Sequence, residues 1–395
     1  MIESALLAAE SAHAPPGVSR VKLLDGASDV AAAEWNRLAR RGFHQHRWFV
    51  AAELSGWRAR HVTLVGAAGL AAIVPAYLVA DGGDGNLHDL WLGPFAAAAA
   101  RLGLRLNPAL CVMAPFARAS APLGEVAALP VATIDDAFAA LEERARRDGA
   151  RAVVWPFVDA GDTRLIEVAR RRGYAALYGG AAARLAVTWT SFDGYVASRS
   201  KAVRRTVRAE REAMATAGLR LDVVEDFRGH TGAMDALLRS AYRERNGIEP
   251  RAGRAFFDRL AADPDPGIWA QLTWRGDQLV GMSVNLAAGG VLDGTFTALL
   301  PKYRGGPAYY NDLIYEPVRI ACGRGIGQID LGPTALVPKL LRGAQLRPRV
   351  TLVRGSTATS HALLAALGRV VAARTASKER KRLAGFGRRG RGSGR

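Results

Sequence analysis

The sequence predicts a mixed α/β (α+β) fold built from two tandem copies of one domain, each a mainly antiparallel sheet flanked by helices. Three observations support this prediction. The chain has 395 residues, about twice the length of a typical domain. A pattern of three consecutive strands occurs twice, and helix-like sequence precedes each occurrence. Hydrophobic residues make up 49% of the chain, which is enough apolar material for two cores.

The repeated strand pattern begins at Arg60 in the first half and at Trp269 in the second. Glycine-containing turns separate β-rich runs in both halves, so each triplet is predicted to form a meander. A period this long indicates duplicated domains rather than a solenoid of short repeats. The turns occupy residues 67–69 and 82–85 in the first copy, and residues 275–277 and 288–290 in the second.

Spaced apolar positions predict the helices. In the first half they fall at residues 28–41, 135–147 and 163–172, and in the second half a helix contains Met234, Leu237, Leu238, Ala241 and Tyr242. After the third strand of the second copy we expect a glycine-rich turn, a helix at 308–322 and strands at 326–331 and 350–353.

Charge and composition suggest four segments. Residues 1–20 are predicted to be a disordered N-terminal segment, 21–190 the first domain, 191–372 the second, and 373–395 a basic disordered tail. The formal net charge is +18, and from Arg374 to Arg395 nine Lys or Arg residues face one acid, Glu379. The rest of the chain is also basic, which favours anionic partners.

Several classes of protein are disfavoured by the residues present. The two cysteines, Cys111 and Cys322, offer no disulfide framework. His44 and His46 lack neighbouring ligands at metal-binding spacing, so we expect no metal. No signal peptide, membrane-spanning run, phosphate-binding loop or serine-hydrolase motif is evident, so we expect a cytoplasmic protein.

Two stretches carry a family resemblance. They read SFDGYVASRSKAVRRTVRAERE and YYNDLIYEPVRIACGRGIGQIDLGPTALVPKLLRG. The chain resembles GNAT-superfamily proteins of the peptidoglycan-biosynthesis type, which are related to Fem-type aminoacyltransferases and to the BioF2-like acetyltransferase domain. The similarity spans about residues 43–355 and is strongest at 192–342. It implies two GNAT-like domains and transfer of an acyl or aminoacyl group, from acyl-CoA or charged tRNA, to an amine.

The turn before the helix at 308–322 is the candidate donor site. In GNAT enzymes this strand-to-helix turn holds the pyrophosphate of CoA, and backbone N–H groups at a helix start suit that task. The corresponding turn of the first copy, Gly93-Pro94, lacks such a cluster, which predicts a degenerate first donor site. The alternative is a plain turn with a solvated arginine. The predicted donor-binding residues are Arg304, Gly305, Gly306 and Ala308.

The strand at 291–298 is the candidate catalytic strand. Leu292, Gly294, Phe296 and Ala298 are predicted to share one face, with Asp293, Thr295 and Thr297 on the other. Asp293 would orient or deprotonate the amine, Thr295 would contact substrate, and backbone N–H groups around Leu299 would stabilise the oxyanion. The alternative is an ordinary strand with its polar side exposed.

Four further residues are candidates in the second copy. Tyr310 would bind substrate, and Asp312 would be catalytic or would simply favour the helix start electrostatically. The resemblance implies that Lys339 and Arg342 bind an anionic acceptor or the donor phosphates, although a solvated pair is the alternative. Pro317 departs from a straight donor-binding helix.

A basic stripe on the helix at 199–217 leaves the type of partner open. Such a stripe suits a tRNA backbone or an anionic envelope substrate, or is simply a solvated face. An acyl-CoA donor and an amine acceptor, small or an envelope precursor, are preferred. Charged tRNA, peripheral membrane-surface association and a non-catalytic binding protein are the alternatives. The stripe comprises Lys201, Arg204, Arg205, Arg208 and Arg211.

Overall fold

The computed structural model describes residues 18–67, 69–80, 107–126, 129–247, 249–263, 265–304 and 306–391. The third strand predicted for the first copy and its Gly93-Pro94 turn lie outside these ranges. None of the described helices is long and apolar enough to cross a membrane.

The first half contains β1 (Val18–Leu24), α1 (Ala32–Arg37), α2 (His46–Leu54), β2 (Arg58–Ala59), β3 (His61–Gly66), β4 (Gly69–Val74), β5 (Ala76–Val79), β6 (Ala109–Val112), α3 (Val131–Arg147), β7 (Ala152–Asp159), α4 (Thr163–Arg171) and β8 (Ala175–Ala186).

The second half repeats a similar order of helices and strands. It contains α5 (Phe192–Ala197), α6 (Lys201–Thr216), β9 (Leu219–Val224), α7 (Thr231–Asn246), α8 (Arg254–Ala261), β10 (Ile268–Arg275), β11 (Gln278–Ala288), β12 (Val291–Leu299), α9 (Pro307–Tyr310), a π-helical turn (Asn311–Tyr315), α10 (Glu316–Gly323), β13 (Gln328–Gly332), α11 (Leu336–Leu341), β14 (Gln345–Gly355) and α12 (Ala358–Arg391).

One large mixed sheet joins the two halves. Its strand order is β2-β5-β6-β7-β14-β8-β13-β12-β11-β10-β9, and β1-β3-β4 form a separate three-stranded sheet. Neighbouring strands are antiparallel except for the pairs β6–β7 and β12–β13. The predicted fold class, a mainly antiparallel mixed sheet flanked by helices, is confirmed.

The last strand of each half lies in the sheet of the other half. β14 comes from the C-terminal half but pairs with β7, and β8 comes from the N-terminal half but pairs with β13. β8 and β14 also pair with each other. The domain boundary at residue 190 stays a prediction. Because β8 and β14 each pair with a strand from the other half, neither predicted domain forms its sheet from its own strands alone.

The predictions for two segments differ from the structure. Residues 373–391 continue α12 instead of forming a disordered tail; Ala, Arg, Lys and Leu are strong helix formers, and Glu379 accepts a hydrogen bond from the Ala181 N–H at 3.0 Å. The helix predicted at 28–41 is a 3-10 turn at Ala27–Asp29 followed by the short helix α1.

The strict alternation predicted for β12 is also wrong. The pairing with β11 shifts register between Met282 and Val284, and Phe296 has a left-handed φ of 44°. This irregularity behaves as a β-bulge, which turns the following side chains to the other face. Leu292 therefore packs under the helix α9–α10, whereas Phe296 and Ala298 pack in the core shared with α2 and α8.

Candidate functional site

The strands β12 and β13 separate and leave a cavity between them. They pair only from Val291–Gln328 to Asp293–Asp330, whereas β12 continues to pair with β11 as far as Leu299. Among the described strands, β11 alone pairs with residues 294–299, so the backbone edge of β12 towards β13 is open. A cavity of about 680 Å³ adjoins this edge. We call it the β12–β13 cavity.

The predicted site residues divide into three groups. Asp293, Leu299, Arg304, Tyr310 and Lys339 all line the β12–β13 cavity. Gly306, Ala308, Asp312 and Arg342 belong to the same half but are not among the residues that line it. The side chain of Thr295 and the whole of Gly305 lie outside the described part of the chain.

Asp293 is held by a residue from the first half of the chain. Its carboxylate forms a buried ion pair with Arg41, in which Arg41 Nη2 donates to Oδ1 and Nε donates to Oδ2 at 3.2 Å. The backbone N–H of Gly42 also donates to Oδ2, at 3.1 Å. Burial raises the pKa of Asp293, and the guanidinium of Arg41 opposes that rise. Both oxygens are therefore engaged, which favours a structural role over the predicted role as a base.

Asp330 extends this ion pair into a network. It accepts from Arg41 at 2.9 Å and from Arg349 at 3.1 Å, and Arg184 lies 3.6 Å away. Burial acts to raise the pKa of Asp330, but these cations hold it below its usual value. Asp159 completes the set by pairing with Arg184 and Arg349. The network links β7, β8 and β14 to the closed end of the β12–β13 cavity, which is the end where β12 and β13 still pair.

Arg304 is fixed at the open end of β12. Its Nε donates to the Leu299 carbonyl at 3.1 Å, and its Nη2 donates to the Ala241 carbonyl at 3.2 Å. No carboxylate in the described residues pairs with it. Gly306 is the N-cap of α9 and Pro307 its first residue. The turn therefore presents a positioned cation beside a helix start.

Tyr310 and Arg342 form one unit. The Arg342 guanidinium lies over the Tyr310 ring, 4.0 Å from its centre. It also donates to both Glu210 oxygens at 2.7 Å and to the Tyr315 hydroxyl at 2.7 Å. Arg342 is 4% exposed and lies behind Tyr310 rather than in the wall of the cavity.

Lys339 is a buried cation in the wall of the cavity. Its Nζ donates to the carbonyls of Leu331 and Gly332 at the end of β13. Burial lowers the pKa of Lys339 to about 8, although the nearby Asp330 acts in the opposite direction. A fraction of this side chain is consequently neutral at pH 7 to 8.

Backbone strain is concentrated at this cavity. Within the described ranges, four residues other than glycine have a positive φ: Phe116 (63°), Phe157 (59°), Phe296 (44°) and Ala335 (48°). All four line the β12–β13 cavity. Such conformations cost about 1–3 kcal/mol each and cluster at functional sites.

Asp312 lies beneath the cavity rather than in its wall. It is fully buried, and Ser283 Oγ lies 3.1 Å from its Oδ1. No Lys or Arg in the described residues forms an ion pair with it. Burial raises the pKa of Asp312 from 3.8 to about 7, although the hydrogen bond to Ser283 opposes the rise.

This burial gives a testable dependence of stability on pH. Because the folded-state pKa of Asp312 is raised, the contribution of its protonated form to the free energy of unfolding is fully present below pH 4. This contribution is lost as the pH rises to about 7. Asp312→Asn should remove that loss, so it should gain stability over the wild type between pH 5 and pH 8, by at most about 4 kcal/mol. Urea unfolding at both pH values measures the difference, and the exposed Asp277→Asn is the control. An equal difference at both pH values would exclude this titration.

Sequence reasoning missed two kinds of residue. Arg41 lies 252 positions before Asp293 in the chain, and nothing in the local sequence pairs them. Gln271, Ser283 and Asn285 are buried polar residues in otherwise apolar strands. Their polarity was visible in the sequence and signalled a requirement for buried partners.

Comparisons with known proteins agree with this architecture. A model of the FemAB-like family, described as peptidoglycan biosynthesis/recognition, matches residues 26–353. The C-terminal domain of a putative lysylphosphatidylglycerol synthetase from Agrobacterium fabrum is similar in structure, with a TM-score of 0.55 and 12% identity over 84% of this chain and 93% of that one. FemX gives a TM-score of 0.52 at 11% identity over 82% of this chain and 96% of its own.

A third solved structure, the L-PGS of Bacillus licheniformis, gives a TM-score of 0.50 at 10% identity over 81% of this chain and 91% of that one. At identities this low, the similarity to these structures shows a shared fold alone. No curated protein matches the sequence. The family match covers most of the chain and confirms the resemblance seen in its sequence. The chain belongs to the FemAB-like family, and this membership together with the fold supports an acyl- or aminoacyl-transfer function.

Proposed function

We propose that the protein transfers an acyl group from acyl-CoA to an amine acceptor by direct attack, in the β12–β13 cavity. The observation that supports this most is the open backbone edge of β12 beside a cavity lined by Asp293, Leu299, Arg304, Tyr310 and Lys339. An extended donor arm can pair with such an edge as an added strand does. The family description makes the amine of a peptidoglycan precursor the preferred acceptor.

The donor phosphates are proposed to bind at the turn that follows β12. Arg304 lies there with its guanidinium already held by two backbone carbonyls. The helix that begins at Pro307 runs through the π-helical turn to Gly323. Its start offers N–H groups and a favourable dipole to an anion. Tyr310, held by Arg342, forms the adjoining wall.

The proposed reaction takes place in the cavity beside the point where β12 and β13 separate. The amine nitrogen forms a bond to the donor carbonyl carbon, the bond from carbon to sulfur breaks, and CoA leaves as the thiolate. Backbone N–H groups on the open edge of β12, between Gly294 and Leu299, would stabilise the oxyanion. The neutral fraction of Lys339 would accept the proton that the amine loses.

A double substitution at the turn tests the donor site. Arg304→Ala with Gly306→Val removes the positioned cation and places a branched side chain at the helix start. We expect the KM for acyl-CoA to rise at least tenfold, about the loss of one charge-assisted hydrogen bond, or turnover to cease. CoA release measured with a thiol reagent gives the kinetics.

The neighbouring Lys302→Ala is the matched control for this test. Lys302 is exposed and stacks on Tyr303 in the same turn, so its removal changes charge without changing the proposed cradle. Unchanged kinetics in the double variant, with the control also unchanged, would place the donor elsewhere.

A tRNA-dependent aminoacyl transfer is the second candidate function, and one observation favours it. None of the five cations of the α6 stripe pairs with a carboxylate in the described residues, and Arg204, Arg208 and Arg211 line a separate pocket of about 430 Å³. If charged tRNA is the donor, each neutralisation in the stripe should reduce the salt dependence of binding by about one unit of slope. Transfer activity that survives ribonuclease excludes this candidate.

A further inference from the structure

A row of buried polar side chains connects Asp312 to the β12–β13 cavity. Gln271 lies on β10, Ser283 and Asn285 lie on β11, and Asp312 lies on the π-helical turn above them. All four side chains are at most 1% exposed. Of the four, only Asn285 lines the cavity. Polar groups this deep in a sheet are costly unless hydrogen bonds satisfy them.

Four hydrogen bonds join these side chains. Ser283 Oγ lies 2.9 Å from Gln271 Oε1 and 3.1 Å from Asp312 Oδ1. Asn285 Nδ2 donates to Gln271 Oε1 at 3.0 Å and to Ser283 Oγ at 3.1 Å. Asn285 donates through its amide nitrogen, and Ser283 has one hydroxyl proton to donate. Ser283 can give its single proton either to Gln271 Oε1 or to Asp312 Oδ1; in the first case Asp312 has to be protonated to donate to Ser283 Oγ.

The same hydrogen bonds orient the amide group of Asn285. The two bonds hold the amide nitrogen inside the row, and the carbonyl oxygen Oδ1 lies towards Gly294 at the cavity. An oxygen in this position accepts a hydrogen bond from an N–H or O–H group and rejects another acceptor. The row favours this orientation of the amide plane, because turning it over would bring Oδ1 against Gln271 Oε1, which has no proton to donate.

Gly294 keeps this oxygen accessible. It pairs with Asn285 across β11 and β12 and also lines the cavity. A Cβ added at Gly294 would lie 3.6 Å from Asn285 Oδ1, and no other atom would come within 4 Å of it. Any side chain at residue 294 would therefore cover the oxygen.

We propose that Asn285 Oδ1 accepts a hydrogen bond from the attacking amine, and that Asp312, through Ser283 and Gln271, is a positioning residue that keeps Asn285 in this orientation. This inference rests on the proposed function and assigns the amine to the face of β12 under α9–α10, beside the closed end of the cavity. An N–H bonded to Oδ1 leaves the lone pair of the amine free to reach the donor carbonyl.

The test measures the KM of the amine and of the donor separately. Full-length protein is assayed for CoA release from a panel of acyl-CoAs, with ethanolamine and L-lysine as amine probes. Gly294→Ala should raise the KM for the amine about tenfold, the loss of one hydrogen bond, and leave the KM for the donor nearly unchanged. Gly323→Ala at the end of α10, where a Cβ meets nothing within 4 Å, is the matched control and should change neither.

Variants of Asp312 separate positioning from mere packing. Asp312→Leu breaks the row and should raise the KM for the amine as Gly294→Ala does, whereas Asp312→Asn keeps a donor towards Ser283 and should raise it much less. An unchanged KM for the amine in Gly294→Ala, or an equal rise for amine and donor, would overturn the inference while leaving the proposed function in place. Absence of CoA release by the wild type with every pair of substrates would overturn both.

Discussion

Arg41→Met is expected to destabilise the protein by about 3–5 kcal/mol, because removing one partner of a buried ion pair leaves the other charge uncompensated. The affected charge is Asp293, whose side chain is 5% exposed and pairs with no other cation in the described residues. Asp330 loses Arg41 as well but keeps Arg184 and Arg349. Chemical denaturation of the two proteins at pH 8 measures the loss.

The adjacent Arg40→Met is the matched control. Arg40 pairs with Glu125 at the surface, where the two side chains are 53% and 69% exposed, and such pairs contribute less than about 1 kcal/mol. Loss of Arg41 also removes the cation that opposes the rise in the pKa of Asp293. The deficit of Arg41→Met should therefore shrink as the pH is lowered, because protonation removes the uncompensated charge of Asp293, and grow as the pH rises. A small deficit that is independent of pH would contradict this role for Arg41.

Residues 1–190 expressed alone are expected not to fold. β8 pairs only with β13 and β14 among the described strands, and both of these come from the second half. β14 also covers the edge of β7, and its residues Leu352 and Val353 are fully buried in two different cores. The isolated fragment would therefore lack a central strand and expose apolar surface on both faces of the sheet.

Co-expression of residues 1–190 with residues 191–395 supplies the missing strands. We expect the two fragments to copurify as one complex that unfolds cooperatively, and the fragment 1–190 to show no cooperative transition in circular dichroism. A cooperative transition in the isolated fragment, at a midpoint similar to that of the full chain, would show that the strand exchange contributes little.

Local sequence patterns predicted the elements of the second half because each depends on neighbouring residues. The turns at 275–277 and 288–290 and the spacing of the helix at 308–322 led to strands and a helix close to those observed. The short parallel pairing of β12 with β13, beyond which the cavity opens, was not predicted from the sequence. The lining of the cavity by Arg304, Tyr310 and Lys339 depends on β13 lying beside β12 in the sheet.

Contacts between distant parts of the chain were beyond sequence reasoning. The bond from Arg41 to Asp293 and the exchange of β8 and β14 join residues whose local sequences carry no sign of each other. The bulge at Phe296 was missed for another reason. A phenylalanine is a poor residue for a left-handed backbone, so its sequence favours regular alternation and only tertiary packing enforces the irregularity.

Binding of an activated acyl donor in the β12–β13 cavity underlies both proposals. Native mass spectrometry of the full chain with a panel of acyl-CoAs and with total charged tRNA tests it most directly. We expect one acyl-CoA per chain for the wild type and for Lys302→Ala, and loss of that complex in the variant carrying Arg304→Ala and Gly306→Val. A complex with charged tRNA alone would favour the second candidate function, whereas binding of neither donor, or binding unaffected by the double substitution, would contradict the claim.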